Sequence, residues 1–150
     1  MPEFPHDHPF TIEFASSFYI HPEGAGILFG MSNHDETPGY KLTIDEAFRL
    51  KTIEHGVSRM PLLERAEISH EWAGLYEVTP DSHPILSEAR DLPGFYVAAG
   101  FSGHGVMHSP ATGKVMSEII LDGAGKTIDV SMLDLERFAE GRLVQEVNVI

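Results

Sequence analysis

The residues from Gly100 to Lys114, GFSGHGVMHSPATGK, have the composition that most suggests chemistry. They follow an apolar stretch, FYVAA (95–99), which predicts a buried strand, and they lead into a helix-like pattern. A strand, a glycine loop and a helix N-terminus together favour negative charge, because free amide groups point outward and the helix dipole adds roughly half a positive charge. Glycine here permits a positive φ and leaves no Cβ between the backbone and a ligand. A purely structural turn is the alternative, and the spacing alone leaves both interpretations open.

Two other kinds of catalytic site are less consistent with the sequence. A hydrolase nucleophile elbow also places a serine between a strand and a helix, but it needs G-x-S-x-G, and His104 stands where the last glycine belongs. Hydrolase order also requires a histidine after the acid, and none follows His108. Nine histidines invite a metal interpretation, with His6 and His8 as a close pair, yet no Cys or Asp/Glu cluster completes a ligand set. We therefore predict neither a hydrolase nor a functional metal site.

Composition excludes several further classes of function. Of 150 residues, 42% are hydrophobic, which is typical of a soluble globular protein. No apolar run reaches the ~18 residues of a membrane helix, and no secretory signal is visible, so we expect no membrane association. A net charge of -13 opposes binding to nucleic acid. The absence of cysteine excludes disulfides and favours a cytoplasmic location.

Turn formers and apolar spacing predict an α+β fold with antiparallel strands. The segment 11–32 predicts a β-hairpin whose loop of about five residues is PEGAG. Thr43-Ile44-Asp45-Glu46 has the form of a capping box and predicts a helix over 43–56 that ends at Gly56. Further along the chain we predict a short helix at 60–66, strands at 68–77, 84–86 and 95–99, a helix from Ser109 to Leu121 with Pro110 in its first position, and a last short helix at 133–139.

Two stretches, GLYEVTPDSHPIL (74–86) and PGFYVAAGFSGHGVMHSPATGKVMSEIILDG (93–123), combine the motifs TPD and AAGFSGHG. This specific combination resembles the C-terminal part of the D-amino-acid-oxidase-like flavoenzymes, and within them sarcosine oxidase, its β-subunit relatives, and the glycine, sarcosine and proline dehydrogenases. FYIHPEGAGILFGMS (18–32) is similar to the substrate-domain hairpin of that family. The resemblance implies an antiparallel substrate-domain sheet with helices, joined to the C-terminal strand-loop-helix of a Rossmann-like FAD domain.

The resemblance also implies how the chain is divided. Residues 1–73 correspond to part of a substrate-binding domain, and residues 74–150 to a substrate-domain strand and the return into the FAD-binding domain. Family members begin with a dinucleotide-binding half that carries G-x-G-x-x-G, whereas the only related fragment here, Gly24-Ala25-Gly26, lies in the predicted hairpin turn. We therefore expect the C-terminal portion of such an enzyme, as a truncation, as a short gene product or as one half of a split enzyme.

Residues are assigned to the cofactor by the same resemblance. The family's helix N-terminus lies against the pyrimidine end of the flavin, and Gly103 to Val106 match the backbone that contacts the ring. Gly74 aligns near the cysteine that tethers FAD in some relatives, so FAD would be non-covalent here. The predicted cofactor-binding residues are Gly74, Gly100, Phe101, Ser102, Gly103, His104, Gly105, Val106 and Met107.

The substrate side is assigned in the same way. Tyr19 matches an aromatic residue that lines the substrate site, His21 would lie close to it, and Met31 falls near a position that is often polar in relatives. Met107 replaces a lysine that helps to hold the substrate carboxylate, which leaves the substrate open. Core positions are the alternative for Tyr19 and Met31, and no catalytic residue is identified.

The resemblance implies an FAD-dependent oxidoreductase that acts on CH–NH or CH–NH2 groups of a small amino acid or amine. In the isolated chain we expect FAD to be absent and activity to be lacking. The alternative is a non-catalytic domain that self-associates or docks onto an N-terminal FAD-binding partner. Uncovered strand edges and apolar surface favour a homo-oligomer.

Overall fold

The computed structural model describes residues 4–146, which divide into two compact units, one ending at Leu75 and the other beginning at Tyr76. Each unit contains its own antiparallel sheet and its own helices. The α+β class with antiparallel strands is therefore confirmed. The assignment of residues 1–73 to a substrate domain and of 74–150 to a return into an FAD domain stays a prediction.

A three-stranded antiparallel sheet forms the first unit, in the order β1 (Thr11–Glu13), β2 (Phe18–Glu23), β3 (Gly26–Gly30). The predicted hairpin is confirmed, with Tyr19 opposite Gly30 and Glu23 opposite Gly26. Its loop is only Gly24-Ala25 and not five residues, because Gly24 adopts a φ of 55°. A glycine with positive φ at the first loop position lets a two-residue turn follow the twist of the strands.

One face of this sheet packs against a helix, α1 (Glu46–Arg59). Side chains alternate between the two faces of a strand, so Phe18 and Ile20 enter the core, where they are 4% and 3% exposed, while Tyr19 and His21 take the opposite face. Phe4 and Leu63 complete the buried cluster, and the partly buried side chains packed against it are Ile27, Phe29, Met31, Val57, Met60 and Leu62.

Both predicted ends of the first helix are wrong. Asp45 is the N-cap and not Thr43, because its side chain accepts a hydrogen bond from the Phe48 amide at 2.9 Å. Gly56 does not end the helix but lies buried inside it, where the Phe18 ring approaches its backbone. The helix continues to Arg59 and stops just before Pro61, which disfavours helical backbone in the residue preceding it.

The short helix predicted around 60–66 is confirmed as a 3-10 turn, Pro61–Arg65. The strand predicted over 68–77 is wrong, since these residues carry no strand assignment. Its apolar positions, Ile68, Trp72 and Tyr76, would share one face of a strand, but the segment pairs with neither of the two sheets. All three side chains are between 46% and 68% exposed, so burial does not order the segment either.

The second unit is built on a two-stranded antiparallel sheet of β4 (Ile85–Glu88) and β5 (Tyr96–Ala99). These strands confirm the two short strands predicted in this region, although each differs from its predicted limits by one or two residues. Helix α2 (Gly105–Asp122), a 3-10 turn (Ser131–Leu133) and helix α3 (Arg137–Glu140) follow. None of the helices in the described range 4–146 is both long and apolar enough to cross a bilayer.

Helix α2 begins four residues before the predicted start at Ser109, so Pro110 lies inside it. Proline has no N–H, which leaves the carbonyl of Val106, one turn earlier, without its usual helical donor. The Ser109 hydroxyl donates to that carbonyl at 2.8 Å, which explains how the helix tolerates the proline. The helix ends at Asp122, one residue beyond the predicted Leu121, and Gly123 follows in the left-handed conformation.

A buried carboxylate ties the end of α2 to the loop that follows it. Glu118, which is 7% exposed, accepts hydrogen bonds from the hydroxyl of Thr127 and from the amides of Thr127 and Lys126. Lys114, one turn earlier, lies 2.9 Å from the same carboxylate. These donors, the Thr127 hydroxyl foremost, lower the pKa of Glu118 and keep it ionised.

The second unit contains a buried ion pair between Arg137 and Asp81. Arg137 donates from Nε to one oxygen of Asp81 at 2.8 Å and from Nη2 to the other at 2.9 Å, and both side chains are 1% exposed. Arg137 also donates to the carbonyls of His83 and Asp134. Its hydrogen bonds lower the pKa of Asp81 to about 2.

This pKa predicts a loss of stability in mild acid. The folded-state pKa lies below the unfolded value, so the contribution is present above about pH 4 and is lost as the pH falls towards 2. Between pH 5 and pH 3 we expect Asp81 to account for about 1 kcal/mol of the fall in unfolding free energy. Urea unfolding at both pH values should show a smaller fall in Asp81→Asn than in the wild type. The exposed Asp91→Asn variant is the control and should keep the wild-type difference.

Two helical glycines should respond in opposite ways to alanine. Gly113→Ala should stabilise the protein by about 0.5–1 kcal/mol, because alanine favours helix and a Cβ there meets no atom within 4 Å. At Gly56 the Cβ would lie 3.3 Å from the Phe18 ring and 3.4 Å from Leu63, so we expect no gain or a loss of about 1 kcal/mol. Urea midpoints measure both effects, and equal stabilisation by the two variants would contradict the packing at Gly56.

Candidate functional site

The glycine turn connects β5 to α2 through backbone that most residues avoid. Gly100, Ser102 and Gly103 have φ values of 75°, 50° and 95°. Ser102 is fully buried, and its amide donates to the carbonyl of Glu77 at 3.3 Å. The amide of His104 closes the turn by donating to the carbonyl of Phe101 at 3.0 Å. Internal hydrogen bonds therefore hold the turn in a defined conformation.

Side chains of this chain occupy the space left by the missing Cβ atoms. A Cβ on Gly100 would collide with the methyl group of Thr79, and one on Gly103 would lie 3.2 Å from the ring of Tyr76. A Cβ on Gly105 would approach the Phe101 side chain at 3.4 Å. Glycine at 100 and 103 is therefore required by positive φ and by internal packing, which gives the structural interpretation of these two positions a physical basis.

The open part of this region is the first turn of α2. The amides of Gly105, Val106 and Met107 are the first three of the helix, and such amides have no carbonyl partner within a helix. Among the described residues no side chain caps this end, and the first turn contains no acidic residue. Val106 and Met107 are 88% and 56% exposed. These features fit an anionic group, such as the pyrimidine edge of a flavin, approaching the helix start.

Aromatic rings accompany the helix start. His104 and His108 lie one turn apart with ring centroids separated by 6.0 Å, and Phe101 lies 6.4 Å from His108. Within residues 4–146, no three histidine or carboxylate side chains come together in an arrangement suited to a cation.

The predicted substrate residues belong to the first unit. The Tyr19 ring lies across Gly30 on the neighbouring strand, where a Cβ would meet its Cζ at 2.6 Å. Phe10 stacks on Tyr19 at 5.9 Å and on His21 at 4.9 Å, and His21 Nδ1 donates to the carbonyl of Pro22 at 2.8 Å. The structure therefore brings Tyr19 and His21 together beneath Phe10, which sequence analysis did not identify.

Two predicted site residues lie apart from these groups. Met31 packs against the core cluster of Phe18 and Ile20, on the face opposite Tyr19, as its alternative interpretation suggested. Gly74 is exposed in the unpaired segment before Tyr76, and a Cβ there would have no neighbour within 4 Å. The ligand-binding roles of all the predicted residues stay predictions.

Two contacts of the second unit were not identified from the sequence. Tyr76 covers Gly103, and Arg137 holds Asp81 of the TPD motif. A buried carboxylate needs a cationic or hydrogen-bonding partner, but the turn residues of the motif did not indicate that Asp81 is buried. Nothing in the spacing indicated which of the ten basic residues would supply it.

Several proteins are similar to this chain in sequence or in structure. It is 35% identical over 141 residues to "FAD-dependent oxidoreductase domain-containing protein 1" of Mus musculus, a match that covers 90% of this chain and 29% of the relative. L-proline dehydrogenase from P. horikoshii has a TM-score of 0.83 and 34% identity over 91% of this chain and 36% of its own. Glycine oxidase from Geobacillus kaustophilus has a TM-score of 0.70 and 27% identity over 80% and 32%.

These matches define the family and the part of it that is present. The chain spans roughly a third of the length of the relatives it matches. The family model for FAD dependent oxidoreductases (DAO) matches residues 2–119, most of the sequence. The uncapped helix start after the glycine turn agrees with this match. Because the family model covers more than half of the sequence, this chain belongs to the DAO family of FAD dependent oxidoreductases.

Proposed function

We propose that this chain is the C-terminal part of an FAD-dependent oxidoreductase that oxidises a C–N bond of a small amino acid or amine. The observation that supports a flavin role most directly is the start of α2, where no side chain caps the first amides and the first turn holds no acidic residue. Two similar structures are named a proline dehydrogenase and a glycine oxidase, which favours an amino-acid substrate.

The chain's own contribution at this site is electrostatic. FAD would supply the hydride acceptor for oxidation of the substrate C–N bond, in which carbon loses a hydride and nitrogen loses a proton, and water would hydrolyse the imine. The amides of Gly105, Val106 and Met107 would stabilise negative charge at the pyrimidine end of the ring. A helix N-terminus contributes roughly 0.3–1 kcal/mol to an adjacent anion, and more where the site is partly buried.

The packing of the turn sets which contacts are available. Tyr76 and Thr79 cover Gly103 and Gly100, so the ring would meet the edge of the turn and the helix start rather than these two glycine faces. Met107 offers no charge to a substrate carboxylate. We therefore propose that the chain binds flavin through its first helical turn, with FAD held non-covalently.

On the first unit, Tyr19 and His21 are the residues that we propose for the substrate. Their rings lie side by side on the sheet face away from the core, stacked against Phe10. Stacked rings restrict side-chain motion and present both an apolar surface and a polar edge. Such a surface suits an amine with a small hydrocarbon part.

A second candidate function is a non-catalytic domain that self-associates or docks onto a separate FAD-binding partner. Large apolar side chains on the surface favour it, among them Tyr40 at 94%, Trp72 at 68% and Leu121 at 81% exposure. Exposed apolar surface of this kind promotes association. Both candidate functions are compatible with a cytoplasmic location, which we propose from the absence of cysteine.

The flavin contact can be tested with the chain and riboflavin, because riboflavin carries the ring without the nucleotide. We expect weak quenching of flavin fluorescence on titration, with FAD and riboflavin binding about equally, since we propose contacts to the ring alone. Val106→Pro should weaken riboflavin binding about tenfold, because it removes one free amide donor. Proline is tolerated in the first helical turn, so the fold should persist.

Val106→Ala is the matched control, as it shortens the same exposed side chain but keeps the amide. It should bind riboflavin as the wild type does. Absence of quenching by the wild type, together with a stable oligomer in sedimentation, would instead support the non-catalytic candidate. Equal affinity in Val106→Pro and Val106→Ala would contradict the amide contact.

The C–N chemistry needs a test in the flavin-loaded protein that contains this chain. Anaerobic addition of glycine, sarcosine or proline should bleach the visible flavin absorbance with at least one of the three. Glycolate, in which a hydroxyl replaces the amino group of glycine, is the control and should leave the absorbance unchanged. Bleaching by glycolate alone would overturn the assignment to amines.

A further inference from the structure

The segment from Tyr76 to Thr79, the first residue of the TPD motif, runs antiparallel to the glycine turn and contacts it at three points. The ring of Tyr76 lies on Gly103, the carbonyl of Glu77 accepts the Ser102 amide at 3.3 Å, and the methyl of Thr79 lies on Gly100. Each contact requires the backbone conformation found in the turn. The segment therefore determines the position of the residues that lead into α2.

Thr79 is the last of these contacts, and its orientation is fixed by its hydroxyl. Oγ1 donates to the carbonyl of His83 at 2.6 Å and lies 3.2 Å from a carboxylate oxygen of Asp81. The two substituents on a threonine Cβ rotate together, so fixing the hydroxyl also fixes the direction of the methyl group. That methyl group is the one that excludes a Cβ at Gly100.

Arg137 holds both groups around the Thr79 hydroxyl. It donates two hydrogen bonds to the Asp81 carboxylate and a third, at 2.8 Å, to the carbonyl of His83. A planar guanidinium fixes such acceptors at defined positions, which a lysine ammonium cannot reproduce. A continuous set of contacts thus leads from Arg137 in α3, through Asp81, His83 and Thr79, to Gly100.

We propose that Arg137 is a positioning residue for the flavin site, setting the glycine turn and the start of α2 through Asp81 and Thr79. This inference rests on the flavin contact proposed above. It assigns a ligand-related role to the C-terminal helix, which carries none of the predicted site residues. Small displacements of groups that hold a ligand are enough to weaken binding, and the supporting residues prevent them.

The test combines two variants that interrupt the contacts at different points. Arg137→Lys keeps the charge but loses the two-pronged contact, and Thr79→Val keeps the branched shape but loses the hydroxyl. Arg142→Lys is the matched control, because Arg142 is an exposed arginine nearby that pairs with Asp134 and Glu140. Each variant is compared with the wild type for the NMR amide shifts of Gly100, Gly103 and Gly105, and for riboflavin affinity, at a temperature where circular dichroism shows it to be folded.

We expect Arg137→Lys and Thr79→Val to shift the Gly100 and Gly103 amides and to weaken riboflavin binding about tenfold, the scale seen when a supporting partner of a binding group is lost. Arg142→Lys should do neither. If Arg137→Lys does not fold, Thr79→Val decides the question, since it leaves the ion pair in place.

Folded Thr79→Val with wild-type glycine shifts and wild-type riboflavin affinity would overturn the proposal. Shifted glycine amides with unchanged riboflavin affinity would also overturn it, because a merely structural ion pair gives that result. Equal effects from Arg142→Lys would overturn it as well. If the wild type fails to bind riboflavin, the proposed function fails by that observation. Arg137 then has no role toward a ligand, and the glycine shifts still report whether it sets the turn.

Discussion

The buried ion pair between Arg137 and Asp81 is the interaction on which the second unit depends. Removing two charges from water costs several kcal/mol for each ion, and their attraction offsets this cost only with good geometry and additional hydrogen bonds. Both conditions hold here. The guanidinium bonds the carboxylate and two carbonyls, while the carboxylate also accepts the His83 amide. Because these donors are matched by acceptors, the pair can remain ionised at 1% exposure.

The glycine turn and the start of the helix that follows it differ in how they are packed. The turn is packed, since Gly100 and Gly103 are covered by Thr79 and Tyr76. The helix start is open, since its first amides face neither a cap nor an acidic side chain among the described residues. An internally bonded turn followed by uncapped helix amides is the arrangement expected where backbone donors are held in place for an anionic group. Glycine thus serves to pack the turn, while the helix start provides the electrostatic potential.

In the first unit, strand alternation separates stability from the candidate substrate surface. Phe18 and Ile20 anchor the sheet to α1, whose buried Gly56 allows the helix to approach the Phe18 ring. Tyr19 and His21 lie on the opposite face, stacked against Phe10. Residues that build the core and residues that could meet a ligand are therefore adjacent in sequence but point in opposite directions.

The sequence by itself determined the features that depend on local chemistry. Gly24 marked the hairpin, Pro61 marked the 3-10 turn, and Asp122-Gly123 marked the end of α2, because turn and cap residues act within a few positions of themselves. The motifs TPD and AAGFSGHG likewise identified the family, since a motif is a local pattern. The predicted ligand roles depend on contacts with a flavin or a substrate and stay predictions.

Only the tertiary structure decided features that depend on residues far apart in the chain. Gly56 lies inside α1, where the Phe18 ring from β2 packs against its backbone. Arg137 reaches Asp81 across 56 positions. Such pairings follow from the packing of whole elements, which no window of sequence encodes, and so the partner of the TPD carboxylate became visible only in the fold.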